Sequence, residues 1–337
     1  MSVSIFEGAG HAPAVNIEPR PMLSRDADSM FWMSRYVERS EHVARLLRVH
    51  TLLLTDVGDL TPVLEYRMWL TILTTMRLPS DLPGDGPIGA RIARYMTFDP
   101  GNPSSILSCI AKARENARAI RESISSELWE SLNTLYWTVN DESAAARYEE
   151  APDTWLYNIM NGSMLFQGLN NQTMGHDQRW NFTQVAKFLE RIDVTARMMD
   201  TRFELLTAMA MQLDQPILNI HLMGVLRSAC SLEAYRRLHS AELDATRVAQ
   251  FLLFQRDYPR SVRFCVDQAR DAIEGIRVSN GARSPSVPER ILGRLSSELE
   301  YADINDVLAH GLTPYLQKIQ ETVNEASIAL QKAYFLY

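Results

Sequence analysis

Two stretches of this chain place a carboxylate beside a guanidinium and repeat the combination one helical turn later. Glu38-Arg39 is followed by Glu41 and Arg45, and 152 positions further on Glu190-Arg191 is followed by Asp193 and Arg197. The flanking residues match too, RYVERSEHVARLL (35–47) against KFLERIDVTARMM (187–199). Clustered carboxylates can hold metal ions, move protons or bind arginine, and spacing separates these uses. A di-metal helical bundle is built from Glu-x-x-His pairs. Neither stretch has one, because His42 directly follows Glu41 and Val194 stands at the matching position. No metal or other cofactor is expected.

Helical geometry divides each Glu-Arg pair. At about 100° per residue, Glu38, Glu41, His42 and Arg45 share one face, while Arg39 falls among Tyr36, Val43, Leu46, Leu47 and Leu54. In the second stretch Glu190, Asp193 and Arg197 share a face, and Arg191 sits beside Phe188, Thr195, Met198 and Met199. A guanidinium among packing residues needs a partner, since an unpaired buried charge costs several kcal/mol. Its fork suits a carboxylate from another helix. Three arrangements are open. The arginines staple helices together; the two helices face each other across a charged cleft that includes Glu41, Arg45, Asp193 and Arg197; or the polar face is simply solvated, with Glu41 and Arg45 as an i,i+4 pair. The cleft arrangement would leave Glu38 and Glu190 available as acid/base groups of an enzyme.

A second candidate lies in AKARENARAIRESISSELWESLNTLYW (111–137), read as one helix. Arg114, Arg118 and Arg121 follow at i, i+4 and i+7 and would form a basic ridge able to dock a carboxylate, a phosphate or an acidic partner. The alternative is internal neutralisation by Glu115, Glu122, Glu127 or Glu130. The matching positions near residue 270 read Arg270, Glu274 and Arg277, where Glu274 neutralises its neighbours. Trp129, Tyr136 and Trp137 have helical spacing and read as core. No Walker loop, no GxGxxG after a strand, no GxSxG and no HExxH occurs; GDGP (84–87) reads as a turn without a phosphate-binding lysine, and no nucleophile–histidine constellation can be assembled. Cys109 and Cys265 occupy equivalent apolar positions and read as inert core thiols.

The elements that must position these residues are helical. From Met22 onward apolar residues recur at three- and four-residue steps, with no sustained alternation that would indicate strands. Breaks fall at Thr61-Pro62, 79–87, 98–105, Ala151-Pro152, 214–216, 257–259, 280–288 and 311–314, mostly at Pro or Gly, and imply about ten to twelve helices. A second matched block, DPGNPSSILSCIAKAR (99–114) against QRDYPRSVRFCVDQAR (255–270), extends the similarity between the two halves. The expectation is an all-α multi-helix bundle built by internal duplication. Residues 1–21 form a flexible leader, and 22–337 form a single domain: repeat one over about 24–140, repeat two over about 177–278, and C-terminal helices over 285–337.

Composition bounds the function. A formal charge of −7 over 337 residues argues against a nucleic-acid binder driven by basicity. Three cysteines without CxxC spacing fit a reducing compartment. No signal peptide or membrane-length apolar run is read, so a cytoplasmic location away from the membrane is expected.

At these residues the chain resembles the Alpha-E family, bacterial all-helical proteins named for a Glu-Arg motif. The matching segments are 22–47, ARENARAIRESISSELWESLN (113–133), LFQGLNNQTMGHDQRWNF (165–182) and FLERIDVTARMMD (188–200). The resemblance implies that Glu38-Arg39 and Glu190-Arg191 are the signature pairs, with Arg45, Arg197, Arg114, Glu115, Asn116 and Arg118 as further family-type positions. Lys187-Phe188 departs from the family pattern before the second pair. It also implies association with a circularly permuted ATP-grasp protein, often beside a transglutaminase-like peptidase, in sets proposed to form or modify peptides by ATP-dependent amide ligation. The expected function is a non-catalytic helical partner of that ligase, helping to bind its peptide or acidic substrate. The alternative is an enzyme component using the Glu38/Glu190 cleft.

Overall fold

Apolar recurrence at helical spacing yields helices throughout. The computed structural model describes residues 22–57, 62–82, 84–209, 215–239 and 243–335. The leader expected over 1–21 lies outside them. In chain order the helices are α1 (Ser24–Val57), α2 (Pro62–Thr75), α3 (Ile88–Thr97), α4 (Ile106–Ala119), α5 (Ser126–Asn140), α6 (Ala144–Glu150), α7 (Pro152–Thr173) and α8 (Gln178–Met209). They continue as α9 (Gln215–Ser228), α10 (Leu232–Leu238), α11 (Ala245–Phe254), α12 (Val262–Ser279), α13 (Val287–Tyr301), α14 (Ile304–His310) and α15 (Leu312–Tyr334). The described residues contain no strand.

The fifteen α-helices among the described residues exceed the expected ten to twelve. The expected Pro and Gly breaks hold where they fall on described residues, and α2, α7, α13 and α15 begin at or next to them; Thr61, Pro83 and Asp214 lie outside the described residues. The additional breaks have no such residue except Gly175 between α7 and α8. The segment 111–137, read as one helix, is cut into α4, a 3-10 turn at Arg121–Ser123 and α5, which starts where the Ser125 hydroxyl accepts from the Leu128 amide. Asp303 caps α14 in the same manner, accepting from Asn305 N. A capping side chain satisfies an amide that would otherwise lack a partner, so Ser and Asp end or restart helices without proline.

Two long helices organise the molecule. α1 and α8 lie side by side, run in the same direction and are in register, because Ser34 meets Thr183, Arg39 meets Glu190, Glu38 meets Arg191 and His50 meets Arg202. α1 packs on α4 and α7, and α5 fills between those two; α8 packs on α12 and α15, with α13 between. α2 crosses to α8 while α9 crosses to α1. Matching caps set the approach of α4 and α12. Ser105 accepts from Ser108 N and Ser261 from Phe264 N, and one turn on Cys109 and Cys265 donate to Pro103 O and Pro259 O. Gly275 lets α12 come close, since a Cβ there would lie 2.6 Å from Asn181 Nδ2 on α8.

This layering covers α1 on every face between Met30 and His50, while Arg25, Thr51, Leu52 and Thr55 toward its ends stay exposed. Met30, Phe31, Met33, Val37, Val43 and Leu47 are buried as an apolar face should be, and each contributes roughly 1.5–3 kcal/mol of transfer free energy. The face carrying Glu38, Glu41, His42 and Arg45 is buried as well, because α7, α8 and the start of α12 cover it. A solvated polar face is thereby overturned.

Candidate functional site

The two Glu-Arg motifs meet across the seam between α1 and α8 and exchange partners. Arg39 on α1 grips Glu190 on α8 with Nε to Oε1 at 2.6 Å and Nη2 to Oε2 at 2.9 Å. Arg191 on α8 grips Glu38 on α1 with Nε to Oε1 at 2.5 Å and Nη2 to Oε2 at 3.2 Å. Each fork is bidentate and charge-assisted, the strong form of this contact. Each arginine also lies over the ring one turn back, Arg39 over Tyr36 and Arg191 over Phe188. The expected partner from another helix is thus the other motif.

The carboxylates are closed in. Glu38 is 2% exposed and Glu190 is fully buried. The seam is therefore a set of closed ion pairs where an open charged cleft was one expectation, and neither acid has an accessible oxygen. Burial alone would raise their pKa values, but Arg191 and Arg260 hold Glu38, and Arg39 and Arg35 hold Glu190, below the ordinary carboxylate range. Such groups stay ionised and are poor proton donors near neutral pH.

Around each acid the second layer differs. Glu190 takes a further bond from Arg35 Nε at 2.7 Å, and Arg35 also donates to Ser327 on α15. Asp193 accepts from Arg197 at 2.8 Å, and Arg197 Nη1 donates to Thr75 O. On the other side, Glu38 accepts from Gln167 on α7 at 3.3 Å, with Arg260 Nη1 3.7 Å away. Glu41 pairs with Arg45 and lies 3.1 Å from Arg260 Nη2. Lys187, which matches Arg35 in sequence, turns to Gln184, and burial lowers its pKa to about 8.

Buried His42 lies 3.5 Å from Glu38, and burial lowers its pKa to about 4, keeping it neutral. Its Nε2, one oxygen of Glu41 and Nη1 of Arg260 have no hydrogen-bond partner among the described residues. Glu38, Glu41 and His42 bring one ligand atom each within 4.8 Å of one another, a spacing that would admit a metal ion. Arg45, Arg191 and Arg260 already set three positive charges against the two carboxylates. A divalent ion would have to displace a buried guanidinium, so the charge balance opposes one.

Arg35 and Arg260 were missed at the sequence level. Arg35 stands four residues before Arg39 and so shares its side of α1, a visible signal. Arg260 follows Pro259, whereas the matching Pro103 is followed by Ser104. That departure between the halves was the available clue. Gln167 carried no signal beyond its place in the LFQGLNN stretch.

The basic ridge is rearranged. Arg121 belongs to the 3-10 turn, yet it lies over Trp129, as does Arg114, which also faces Tyr136 and donates to Asn133 Oδ1 at 2.7 Å. Arg118 has a 70% exposed side chain, with Glu115 3.8 Å away. Trp137, expected in the core, is 58% exposed, and Trp129 and Tyr136 are half-buried, because the break before α5 turns this face outward. Cys109 and Cys265 are the expected core thiols, each pushed up to about 12 by burial. No helix among the described residues is long and apolar enough to cross a membrane.

Uncharacterised proteins of Mycobacterium bovis and Mycobacterium tuberculosis are 26% identical over 316 residues, covering 88% of this chain and 34% of theirs. The chain thus spans about a third of the length of these curated relatives. No solved structure matches it. The family described as a predicted alpha-helical domain with a conserved ER motif matches residues 22–335, and the chain belongs to this Alpha-E family.

Proposed function

We propose that this chain is a non-catalytic helical subunit that binds a circularly permuted ATP-grasp amide ligase and helps present its peptide or acidic substrate. The observation that carries this reading is the burial and mutual saturation of Glu38 and Glu190. Groups locked in this way serve the architecture, so the enzyme alternative built on them lacks an accessible acid or base. The surface of Arg114, Arg118, Arg121 and Trp137 is the proposed contact, since arginine and tryptophan are enriched where partners dock. Supporting it, the mycobacterial relatives carry a unit like this one within a longer chain. The net charge of −7 favours a protein partner over nucleic acid. A transglutaminase-like peptidase is a functional neighbour in this reading, and the setting is cytoplasmic.

We also infer that the two halves descend from one duplicated unit. The order α1 to α7 corresponds to α8, α9 and α11 to α15, with α10 additional. On this reading the repeats extend to about 24–173 and 178–334, longer than the sequence blocks alone. The matched caps, the matched cysteines and the exchanged Glu-Arg forks support it.

Co-purification with a circularly permuted ATP-grasp protein from the same organism, followed by native mass spectrometry, tests the partner. A stoichiometric complex is expected, weakened at least tenfold by Arg118→Glu with an unchanged helical circular-dichroism signal. Absence of a complex overturns the partner assignment. Full binding by the variant overturns the contact surface.

A further inference from the structure

The Glu38 half borders a pocket of about 380 Å³, within the range of small-molecule sites. Arg45 and Arg48 from α1, Arg227 from the end of α9 and Cys230 from the following turn meet Met160 and Met164 of α7 there, with Glu233 at the edge. Arg45 gives Nε and Nη2 to Glu41, and Arg48 gives Nε and Nη2 to Asp153. Arg45 places both atoms on Glu41 Oε1 and Arg48 uses both oxygens of Asp153, and neither contact takes up Nη1. The matching positions on α8 are Arg197 and Asp200, and there Arg197 spends Nη1 on Thr75 O. The guanidinium pair therefore occurs on one half only.

The walls suit an amphipathic anion. A planar guanidinium edge recognises a carboxylate, and methionine side chains adapt to an apolar chain. Cys230 has φ 54°, a left-handed conformation unfavourable for a residue with a Cβ, and its carbonyl accepts from the Tyr258 hydroxyl. The backbone is held in this shape beside the pocket.

We propose that this pocket binds a small organic carboxylate, with its anionic end on Arg45 and Arg48 and its carbon chain on Met160 and Met164. The site needs neither the ATP-grasp partner nor the Arg118 surface, so it stands or falls separately from them.

The test uses the isolated full chain with hexanoate as probe. Cys109 and Cys265 are buried, so alkylation by N-ethylmaleimide reports Cys230, verified by its loss in Cys230→Ser. Saturating hexanoate should slow alkylation at least tenfold, 1-hexanol and hexylamine less than twofold. Arg48→Gln should raise the half-protecting hexanoate concentration at least tenfold. An unchanged rate with hexanoate, or equal protection by hexanol, overturns the proposal. Should Cys230 resist alkylation in the free protein, methyl-13C methionine spectra replace it. Hexanoate-dependent shifts at Met160 and Met164 then support the site, and their absence overturns it.

Discussion

Glu190 and Glu38 occupy matching positions on α8 and α1, yet their surroundings differ. Glu190 receives two arginines from one helix, Arg35 and Arg39, and this corner is closed by the Arg197 contact to Thr75 O. Glu38 receives Arg191 from α8 and Gln167 from α7, with Arg260 and neutral His42 close by. The first corner is a saturated clamp. The first leaves Arg197 Nε without a hydrogen-bond partner among the described residues, whereas the second leaves His42 Nε2, one oxygen of Glu41 and Arg260 Nη1 without one and borders a pocket. The same motif thus holds both halves together while only one side departs toward ligand-binding chemistry, and the departures are single residues: Arg260 against Ser104, His42 against Val194, Arg48 against Asp200.

The largest effect should come from the saturated corner. Glu190→Gln leaves Arg35 and Arg39 facing a neutral amide, at a cost of about 3–5 kcal/mol in urea unfolding. Glu38→Gln should cost less, about 2–3 kcal/mol, because Arg260 keeps Glu41. Equal losses, or the reverse order, would erase the distinction between the corners.

Acid should strain the His42 side next. His42 is neutral in the folded chain with a pKa of about 4, below its ordinary 6.5, so the unfolded chain takes up the proton first. Stability is full above pH 6.5 and falls as pH drops from 6.5 toward 4, by about 3 kcal/mol from this residue. His221, with a pKa of about 4, and His50, also lowered, act in the same direction. The carboxylates, with lowered folded pKa values, add losses only below their ordinary 4.5. His42→Val, which copies Val194, should flatten the decline of Tm between pH 6.5 and 4.5. An unchanged slope would show that His42 does not charge on unfolding.

Two smaller effects sharpen the comparison. Cys109→Ala and Cys265→Ala remove equivalent thiols from equivalent sites and should each cost roughly 1 kcal/mol, within about 0.5 kcal/mol of each other by thermal melts. Arg118→Glu, at an exposed position, should change stability by less than about 0.5 kcal/mol. A larger loss there would make the ridge a structural feature.

Much of this architecture was legible in the residues. The repeated Glu-Arg blocks and the proline-led helix starts predicted helices, and the placement of Arg39 and Arg191 among packing residues predicted a carboxylate partner from another helix, with stapling as one of three open arrangements. Helical periodicity is local, however, and cannot say what lies opposite. The polar face of α1 read as solvated or cleft-forming because its cover, α7, α8 and Arg260 just ahead of α12, is distant in sequence. Trp137 read as core because aromatic spacing cannot register a serine cap that turns the following helix. The pocket beside Arg45 could not be read at all, since it joins side chains from α1, α7, α9 and the turn at Cys230.

The clamp between the halves is tested most directly by a double-mutant cycle on Arg39→Met and Glu190→Gln, read by urea unfolding. A coupling of about 2 kcal/mol is predicted for this buried bidentate pair. A coupling below about 0.5 kcal/mol would contradict the clamp.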